Sequence, residues 1–186
     1  MLYLVSGASR SGKTIIAERI LEEHGIPYLS LDWLVMGFTN GLPQLGIHDK
    51  LMPDEIADGI WDYLKAMCES MIWSGIDYVV EGEAILPARI RELIESHPDK
   101  VRIVFLGYTT VDVEEKLREI KKHSVDKVDW LTQESDAYIR DHIQNMVVHS
   151  RLIREGCAEH DLPYFDTTED FCTTLEQAKE YLLGNQ

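Results

Sequence analysis

An eight-residue motif near the start of the chain constrains its fold more than any other feature. Residues 7–14 read Gly-Ala-Ser-Arg-Ser-Gly-Lys-Thr, which matches the pattern G-x-x-x-x-G-K-[ST] at every fixed position. An apolar run at residues 2–5 precedes the motif, and a helical pattern at residues 15–21 follows it. Strand, glycine-rich loop and helix in this order form a cradle whose backbone N–H groups point at phosphate oxygens. The motif therefore predicts a nucleoside triphosphate site at the first strand–helix turn.

Each residue type in this loop has a physical role. Gly7 and Gly12 let the backbone curl inward, and the N-terminus of the next helix adds its positive end. Lys13 is expected to reach the β- and γ-phosphates, and the Thr14 hydroxyl to hold Mg²⁺. The predicted nucleotide-binding residues of the loop are Gly7, Ala8, Ser9, Arg10, Ser11, Gly12, Lys13 and Thr14. A chance match is the alternative, and the flanking strand and helix patterns argue against it.

Length and composition predict a single domain. The chain has 186 residues, of which 45% are hydrophobic and 27% charged, so it can bury a full core. No apolar stretch approaches the roughly 20 residues of a membrane span, and the first predicted strand begins at Leu2, which leaves no room for a signal segment. Three cysteines, an odd number without C-x-x-C spacing, are typical of a reducing compartment. These features predict a cytoplasmic protein with no membrane partner.

The charge balance excludes one class of partner. The formal net charge is −15, so most of the surface would repel DNA or RNA, and nucleic-acid binding is not expected. A phosphorylated small ligand must then meet a locally basic pocket inside an acidic protein.

Strand and helix patterns alternate along the chain, which predicts an α/β fold with a parallel sheet and right-handed crossovers. Apolar runs predict strands at 2–6, 27–31, 76–81, 101–107 and 162–166. Periodic patterns predict helices at about 13–24, 53–73, 87–96, 111–123, 134–160 and 173–183. Two segments, 36–53 and 123–133, show no period. The first carries three glycines and two prolines and is predicted to be a ligand-facing loop.

Acidic side chains follow two predicted strands at the point where each strand ends. Asp32 follows the second strand, and Glu81 and Glu83 follow the third. Ligands of open parallel sheets lie outside the carboxyl ends of the strands, so these groups are expected to converge on the phosphate loop. A carboxylate there can accept the proton of an attacking hydroxyl or hold Mg²⁺, which makes Glu81 a second candidate metal ligand. Alternatively, Asp32 caps the following helix and Glu81 is a strand-end charge that reaches solvent.

The phosphate loop, Asp32 and the segment Glu81-Gly82-Glu83-Ala84-Ile85-Leu86-Pro87 resemble the P-loop kinases of small molecules. This family includes adenylate-kinase-like, nucleoside-monophosphate, uridine, shikimate and 2-phosphoglycerate-type kinases. In uridine- and shikimate-type kinases an aspartate after strand two acts on the acceptor hydroxyl, and Asp32 has that place. The turn at residues 81–87 resembles the acceptor-pocket turn of 2-phosphoglycerate-type kinases. Predicted acceptor-binding residues are Asp32, Glu81, Gly82 and Arg89; Arg89 begins the next helix and would bind an anionic acceptor unless it lies on the surface.

The resemblance spans most of the chain in element order. It implies one domain over residues 1–186 with a three-layer α/β/α P-loop NTPase fold. Its five-stranded parallel sheet has the order 2-3-1-4-5, with an acceptor-side loop at about 36–53 and a helical lid at about 111–140.

In this family the lid follows strand four, and its arginines close over the transferred phosphoryl group. The helical pattern at residues 114–123 has this place, and Arg118 and Lys122 share one of its faces. Arg118 is the predicted catalytic cation, and Arg140 and Arg151 on the next helix are further lid candidates. The alternative is that these cations form ordinary surface pairs with glutamates. The family also places adenine against the loop after strand five, where Thr168 is the predicted contact or else caps the last helix.

The sequence thus predicts a phosphotransferase that moves the γ-phosphoryl group of ATP·Mg to a small-molecule acceptor, either a hydroxyl compound or a nucleoside monophosphate. Lys13, Asp32 and Arg118 are the predicted catalytic residues; a phosphate acceptor would need no base, and Asp32 would then bind acceptor or metal. The alternatives are a GTPase or ATPase switch and a non-catalytic nucleotide-binding regulator. The absence of an N-K-x-D guanine reader argues against the first, and the presence of Asp32 against the second. The sequence makes no prediction of the acceptor's identity or of the oligomeric state.

Overall fold

A parallel five-stranded sheet forms the centre of the protein, and a computed structural model describes residues 1–123 and 130–184. The strands are β1 (Leu2–Gly7), β2 (Tyr28–Ser30), β3 (Tyr78–Gly82), β4 (Val101–Gly107) and β5 (Tyr164–Asp166), in the order β2-β3-β1-β4-β5. The predicted sheet and its strand order are confirmed. The register pairs Ser6 with Gly82 and Gly7 with Leu106, so the carboxyl ends of the three central strands meet at one edge.

Seven α-helices flank this sheet in the described part of the chain. They are α1 (Lys13–His24), α2 (Leu31–Gly41), α3 (Pro53–Ser74), α4 (Pro87–Ser96), α5 (Val113–His123), α6 (Asp136–Glu159) and α7 (Phe171–Leu183). Short 3-10 turns occur at Pro43–Leu45 and Trp130–Gln133.

Alternating side chains of the strands bury two separate apolar cores, one on each face of the sheet. On one face Leu4 and Phe105 pack with α2, α3, α4 and α6, and on the other Val5 and Val104 pack with α1 and α7. Successive strand residues point to opposite faces, and every one of these four side chains is fully buried. The two cores make the protein a three-layer α/β/α sandwich, as predicted.

The helix α2 was not predicted, and it corrects the expected loop at residues 36–53. Residues 36–41 are helical because Leu31, Val35 and Phe38 recur at helical spacing and are all buried. Gly37 and Gly41 lie where an added Cβ would meet no atom within 4 Å, so they face open space. Burial of the apolar stripe therefore outweighs the low helix propensity of two glycines. The remaining irregular stretch is limited to residues 42–52.

The region predicted as a lid has an apolar core of its own. Leu117, Ile120, Leu131, Ile139 and Ile143 form a cluster separate from the two main cores and join α5 to the start of α6. Residues 124–129 of the predicted lid lie outside the described residues.

Candidate active site

The phosphate loop runs from the end of β1 into α1 and requires glycine at two positions. Gly7 has a φ of +135°, and a Cβ there would lie 1.8 Å from the Leu106 carbonyl oxygen on the neighbouring strand. Gly12 has a φ of +101°, and its Cβ would lie 2.6 Å from a methyl group of Leu175 in α7. Backbone conformation and close packing both exclude a side chain at these two positions.

Hydrogen bonds within the loop and to β4 hold its curved shape. The Ala8 N–H donates to the Leu106 carbonyl (3.0 Å). The Ala8 carbonyl in turn accepts from the Ser11 N–H (3.3 Å), the Ser11 hydroxyl (2.8 Å) and Lys13 Nζ (2.7 Å). The eight predicted loop residues thus form one continuous turn at the carboxyl edge of the sheet, where the N-terminus of α1 begins.

Lys13 reaches across this edge toward the turn after β3. Its side chain is only 8% exposed, and Nζ lies 3.6 Å from Glu83 Oε1. This separation is an ion pair without a direct hydrogen bond, because it exceeds the usual N–H···O range. The buried ammonium group is therefore held between the loop carbonyl and a carboxylate on the opposite wall.

Thr14 and Glu81 lie together at the base of the cleft. The Thr14 hydroxyl donates to Glu81 Oε1 (3.3 Å), and the glutamate, 2% exposed, also has a side-chain hydrogen bond with Ser30 at the end of β2. Burial raises the pKa of Glu81 and Asp32 raises it further, while hydrogen bonds from Ser30 and Thr14 and the charge of Lys13 oppose the increase.

This pair of oxygen ligands fits Mg²⁺. A hydroxyl that donates its proton to a carboxylate keeps its lone pairs for a cation, and hard oxygen ligands are those that Mg²⁺ prefers. Across the described ranges, no group of three or more His, Cys, Asp or Glu residues is arranged to hold a metal. One hydroxyl and one carboxylate match the usual Mg²⁺ site, in which water and phosphate oxygens complete the coordination.

Asp32 lies in the first turn of α2, beside the phosphate loop. The residue is exposed to solvent, and the surrounding protein still removes enough water from the carboxyl group to raise its pKa. Lys13 lowers this pKa and Glu83 raises it, so the three charges lie within electrostatic reach of one another. No hydrogen bond of the Asp32 side chain caps α2, since the cap position is Ser30 and it makes no side-chain cap bond.

Gly82 and Arg89, the other predicted acceptor residues, have different surroundings. A Cβ at Gly82 would lie 2.6 Å from Leu31 Cβ, so the absence of a side chain lets the start of α2 approach β3. Arg89 lies on the exposed side of α4, where Nε and Nη2 donate to Asp58 Oδ1 (3.1 and 2.7 Å). Its guanidinium is directed at α3 and away from the loop, as in the surface alternative.

The four predicted lid cations lie on α5 and α6, where those with hydrogen bonds contact residues outside the phosphate loop. Arg118 is exposed and its Nε donates to the Glu114 carbonyl (3.1 Å), while Lys122 is exposed on the same outer face. Arg140 forms a bidentate pair with Glu114 (2.6 and 3.1 Å). Arg151 donates from Nε to the Thr109 carbonyl (2.9 Å), which connects α6 to the end of β4.

Lys116, which was not among the predicted cations, points inward from α5. Its Nζ lies 5.3 Å from the ring centroid of Tyr108 and 5.6 Å from that of Phe171, and its side chain is only 16% exposed. Phe171 also borders the phosphate loop, since a Cβ at Gly12 would come within 3.1 Å of its ring. Lys116 lies next to the apolar stripe that Val113, Leu117 and Ile120 form on α5. This stripe is visible in the sequence and could have identified the inward face of the helix.

Thr168 lies in the loop between β5 and α7, close to Asp166. Its N–H donates to Asp166 Oδ1 (3.0 Å), and the Thr109 hydroxyl donates to Oδ2 (2.6 Å). Burial alone would raise the pKa of Asp166, but these hydrogen bonds outweigh it and lower the pKa. The cap of α7 is Asp170, which accepts from the Thr173 N–H (3.0 Å), so Thr168 is not the capping residue.

His149 is a second residue that sequence reasoning missed. Its Nε2 atom is buried and has no hydrogen-bond partner among the described residues. Burial lowers the pKa of the imidazole, and the charges of Glu83, Lys13 and Asp54 act on it as well. The spacing of His142 and His149, seven residues apart on one helical face, does not reveal this position, because only the tertiary fold brings α6 to the carboxyl edge of the sheet.

An apolar groove lies at the other end of the sheet. It is lined by Ile94, Val101, Ile103, Leu162, Pro163 and Tyr181, near the amino ends of β4 and β5. Ligands of open parallel sheets bind at the carboxyl ends of the strands, so this groove is not the candidate site. Among the helices in the described ranges, none combines the length and apolar character needed to cross a bilayer.

Comparisons with known proteins identify the fold. No protein-family model matches the chain, and no curated protein matches it by sequence. A gluconokinase from Sinorhizobium meliloti 1021 is 20% identical with a TM-score of 0.58, over 99% of this chain and 91% of that one. A shikimate kinase from Bacteroides thetaiotaomicron is 15% identical with a TM-score of 0.57, over 98% of both chains. A shikimate kinase from Acinetobacter baumannii in complex with shikimate is 18% identical with a TM-score of 0.55, over 100% of this chain and 94% of that one. At these identities the comparisons establish the fold, which is the P-loop fold of small-molecule kinases.

Proposed function

We propose that the protein is a small-molecule kinase that transfers the γ-phosphoryl group of ATP, with Mg²⁺, to a hydroxyl group of its acceptor. One observation carries this proposal: the Asp32 carboxyl group lies beside the phosphate loop, within electrostatic reach of Lys13 and Glu83. An aspartate at this place can accept the proton of an acceptor hydroxyl as phosphoryl transfer proceeds. The kinase names of the structural neighbours support the same class of reaction.

The phosphate loop would bind the triphosphate through its backbone N–H groups and through Lys13. The ammonium group lies 3.6 Å from Glu83 and can exchange this contact for phosphate oxygens, because the ion pair includes no direct hydrogen bond. At the γ-phosphate, its charge would stabilise the negative charge that spreads over the transferring oxygens.

We assign the adenine to the space between α5 and the loop after β5. Lys116 and Phe171 offer a cationic and an aromatic surface there, and Thr168 offers short polar groups on the same side. Arg118 and Lys122 remain predicted lid cations, and they would need a change in the position of α5 to reach the phosphates, because both lie on its outer face.

Thr14 and Glu81 would hold Mg²⁺ at the base of the cleft. When bound, the ion would supply positive charge that neutralises part of the charge of the phosphates. The raised pKa of Glu81 has its cause in burial, and a neighbouring cation would favour the ionised form.

Asp32 would act on the acceptor. The acceptor oxygen forms a bond to the γ-phosphorus while the bond from that phosphorus to the β–γ bridging oxygen breaks, and ADP leaves. The hydroxyl proton passes to the Asp32 carboxylate, whose raised pKa makes it a better base than an ordinary aspartate. Because Asp32 is open to solvent, it can return this proton to water after each cycle.

The test is ATP consumption by the purified protein with and without a panel of small hydroxyl compounds and nucleoside monophosphates. A kinase consumes ATP slowly alone and much faster with its acceptor, and Lys13→Ala abolishes both rates. Fast hydrolysis that no acceptor accelerates would indicate an ATPase or switch, and ATP binding without consumption under any condition would indicate a non-catalytic protein. Either of these results contradicts the proposal.

A further inference from the structure

The helix α6 crosses the acceptor side of the cleft, and three contacts fix its position. Met146 packs against the phosphate loop and Tyr108. One turn later, the Ser150 hydroxyl accepts from the Tyr108 N–H (3.1 Å) at the end of β4. Further along, a Cβ at Gly156 would lie 3.2 Å from the first residue of α4, directly after the turn that follows β3. His149 lies between these contacts, and Lys13 of the phosphate loop and Glu83 of that turn both act electrostatically on its ring.

The buried Nε2 of His149 points to a ligand group. Buried polar atoms without a protein partner are uncommon in native proteins, and a bound group is one of the explanations for them. Since burial lowers the pKa of this imidazole, the ring is neutral at neutral pH, with one donor and one acceptor nitrogen. A hydroxyl group can donate or accept, so it satisfies Nε2 in either tautomer. A carboxylate or phosphate, which only accepts, would leave one of the two tautomers unsatisfied.

Acidic groups dominate the charges in this part of the site. Three carboxyl groups act on His149 or on other residues of the site: Asp54 and Glu83 on His149, Glu83 on Asp32, and Asp32 on the buried Glu81. The basic groups that act on the same residues and on Tyr108 are Lys13 and Arg10, and both belong to the phosphate loop.

Basic residues nearby on the neighbouring helices have other partners. Arg89 donates twice to Asp58 on the outside of α4, and Arg151 donates to the Thr109 carbonyl. An anionic acceptor would thus meet several carboxylates, while the two loop cations bind the triphosphate. Like charges placed together discriminate strongly against a wrong ligand.

We propose that the acceptor is an alcohol without negative charge, a neutral polyol or an amine-bearing alcohol, and that His149 is one of the residues that bind it. The inference rests on the proposed kinase function and specifies its substrate class. It separates this protein from kinases whose acceptors are sugar acids, other carboxylates or phosphate esters.

Matched probes that differ in charge at nearly constant shape test this inference. We would first confirm by calorimetry that Mg·ATP binds, and then measure ATP consumption with glucose, glucosamine and gluconate, with myo-inositol, and with uridine against uridine monophosphate. The expected result is turnover with at least one neutral or cationic compound and a value of kcat/KM at least tenfold lower for its anionic counterpart. Preference for an anionic member, or no turnover with any neutral or cationic member, would overturn the inference. No binding of Mg·ATP would instead overturn the proposed kinase function.

Two variants test the assignment of His149. His149→Gln should raise the KM for the acceptor about tenfold or more and leave the KM for ATP unchanged, because the proposed ligand of Nε2 is the acceptor hydroxyl and not the nucleotide. His160→Gln, the same substitution just beyond the end of α6, is the matched control and should change neither constant. Equal acceptor KM values for His149→Gln and the control would contradict the assignment.

Discussion

Substitution of Gly82 by alanine should disturb both stability and catalysis, because the missing side chain lets the start of α2 approach β3. A Cβ at Gly82 would lie 2.6 Å from Leu31 Cβ, about 0.8 Å short of the 3.4 Å at which ordinary contact begins. Leu31 is 1% exposed and cannot move into solvent, so α2 must shift and carry the adjacent Asp32 with it. Overpacking of this kind costs about 1–3 kcal/mol of unfolding free energy. Displacement of a catalytic group by about 1 Å lowers the rate about 10²-fold.

The measurements are urea unfolding and thermal melting for stability, and kcat for the acceptor found in the panel. For a chain of this size the expected loss corresponds to a decrease in Tm of about 2–4 °C per kcal/mol. Gly37→Ala in the middle of α2 is the control, since its Cβ would meet no atom within 4 Å. It should stabilise the helix by up to about 1 kcal/mol and leave kcat unchanged. A Gly82→Ala variant as stable and as active as the original protein would refute the reasoning.

Three further predictions follow from the charges of the site. Loss of water around the carboxyl group raises the pKa of Asp32, so activity should fall on acidification at a pH above about 3.9, the value typical of aspartate. If the pH profile of Asp32→Asn showed the same loss of activity at low pH, this would contradict the role of Asp32 as base. Burial also raises the folded-state pKa of Glu81, so the native protein binds more protons than the unfolded chain and loses stability as pH rises toward that pKa. The unfolding free energy of Glu81→Gln minus that of the original protein, both measured in EDTA, should therefore increase from about pH 4 to pH 7. A difference that stays constant over this pH range would contradict the predicted sign. Lys13→Ala should abolish phosphoryl transfer with an unchanged far-UV circular dichroism spectrum, and measurable turnover by this variant would refute the assigned role.

The strands of the sheet could be anticipated from the sequence because they read as continuous apolar runs, whereas their order was implied only by the resemblance to P-loop kinases. Val79, Val104 and Leu106 are fully buried, and no other regular element suits short β-branched runs of this kind. The phosphate loop could also be predicted from the sequence, since backbone geometry requires its two glycines. The helix α2 could not, because its two glycines argue locally for a loop and only the burial of Leu31, Val35 and Phe38 against the sheet makes it helical.

The site could be predicted only where a residue follows directly from a strand or a motif. Asp32 and Glu81 are near the phosphate loop because the parallel register brings the strand ends together. The positions of Lys116 and His149 at the site depend on how α5 and α6 cross the edge of the sheet. Neither crossing is encoded in a local sequence pattern. The structure gives no support to Arg89 as a ligand of an anionic acceptor, because Arg89 forms an ion pair with Asp58 of α3. This pair depends on how α3 and α4 pack together, which no local sequence pattern shows.

The most direct test of the account is a calorimetric titration of Mg·ATP into the original protein and into Lys13→Ala. We predict one site per chain for the original protein, and a loss of affinity of at least tenfold in the variant, because the ammonium group binds the phosphates inside a nearly buried site. No heat of association with the original protein, or equal affinity in both, would contradict the claim that this loop binds the triphosphate.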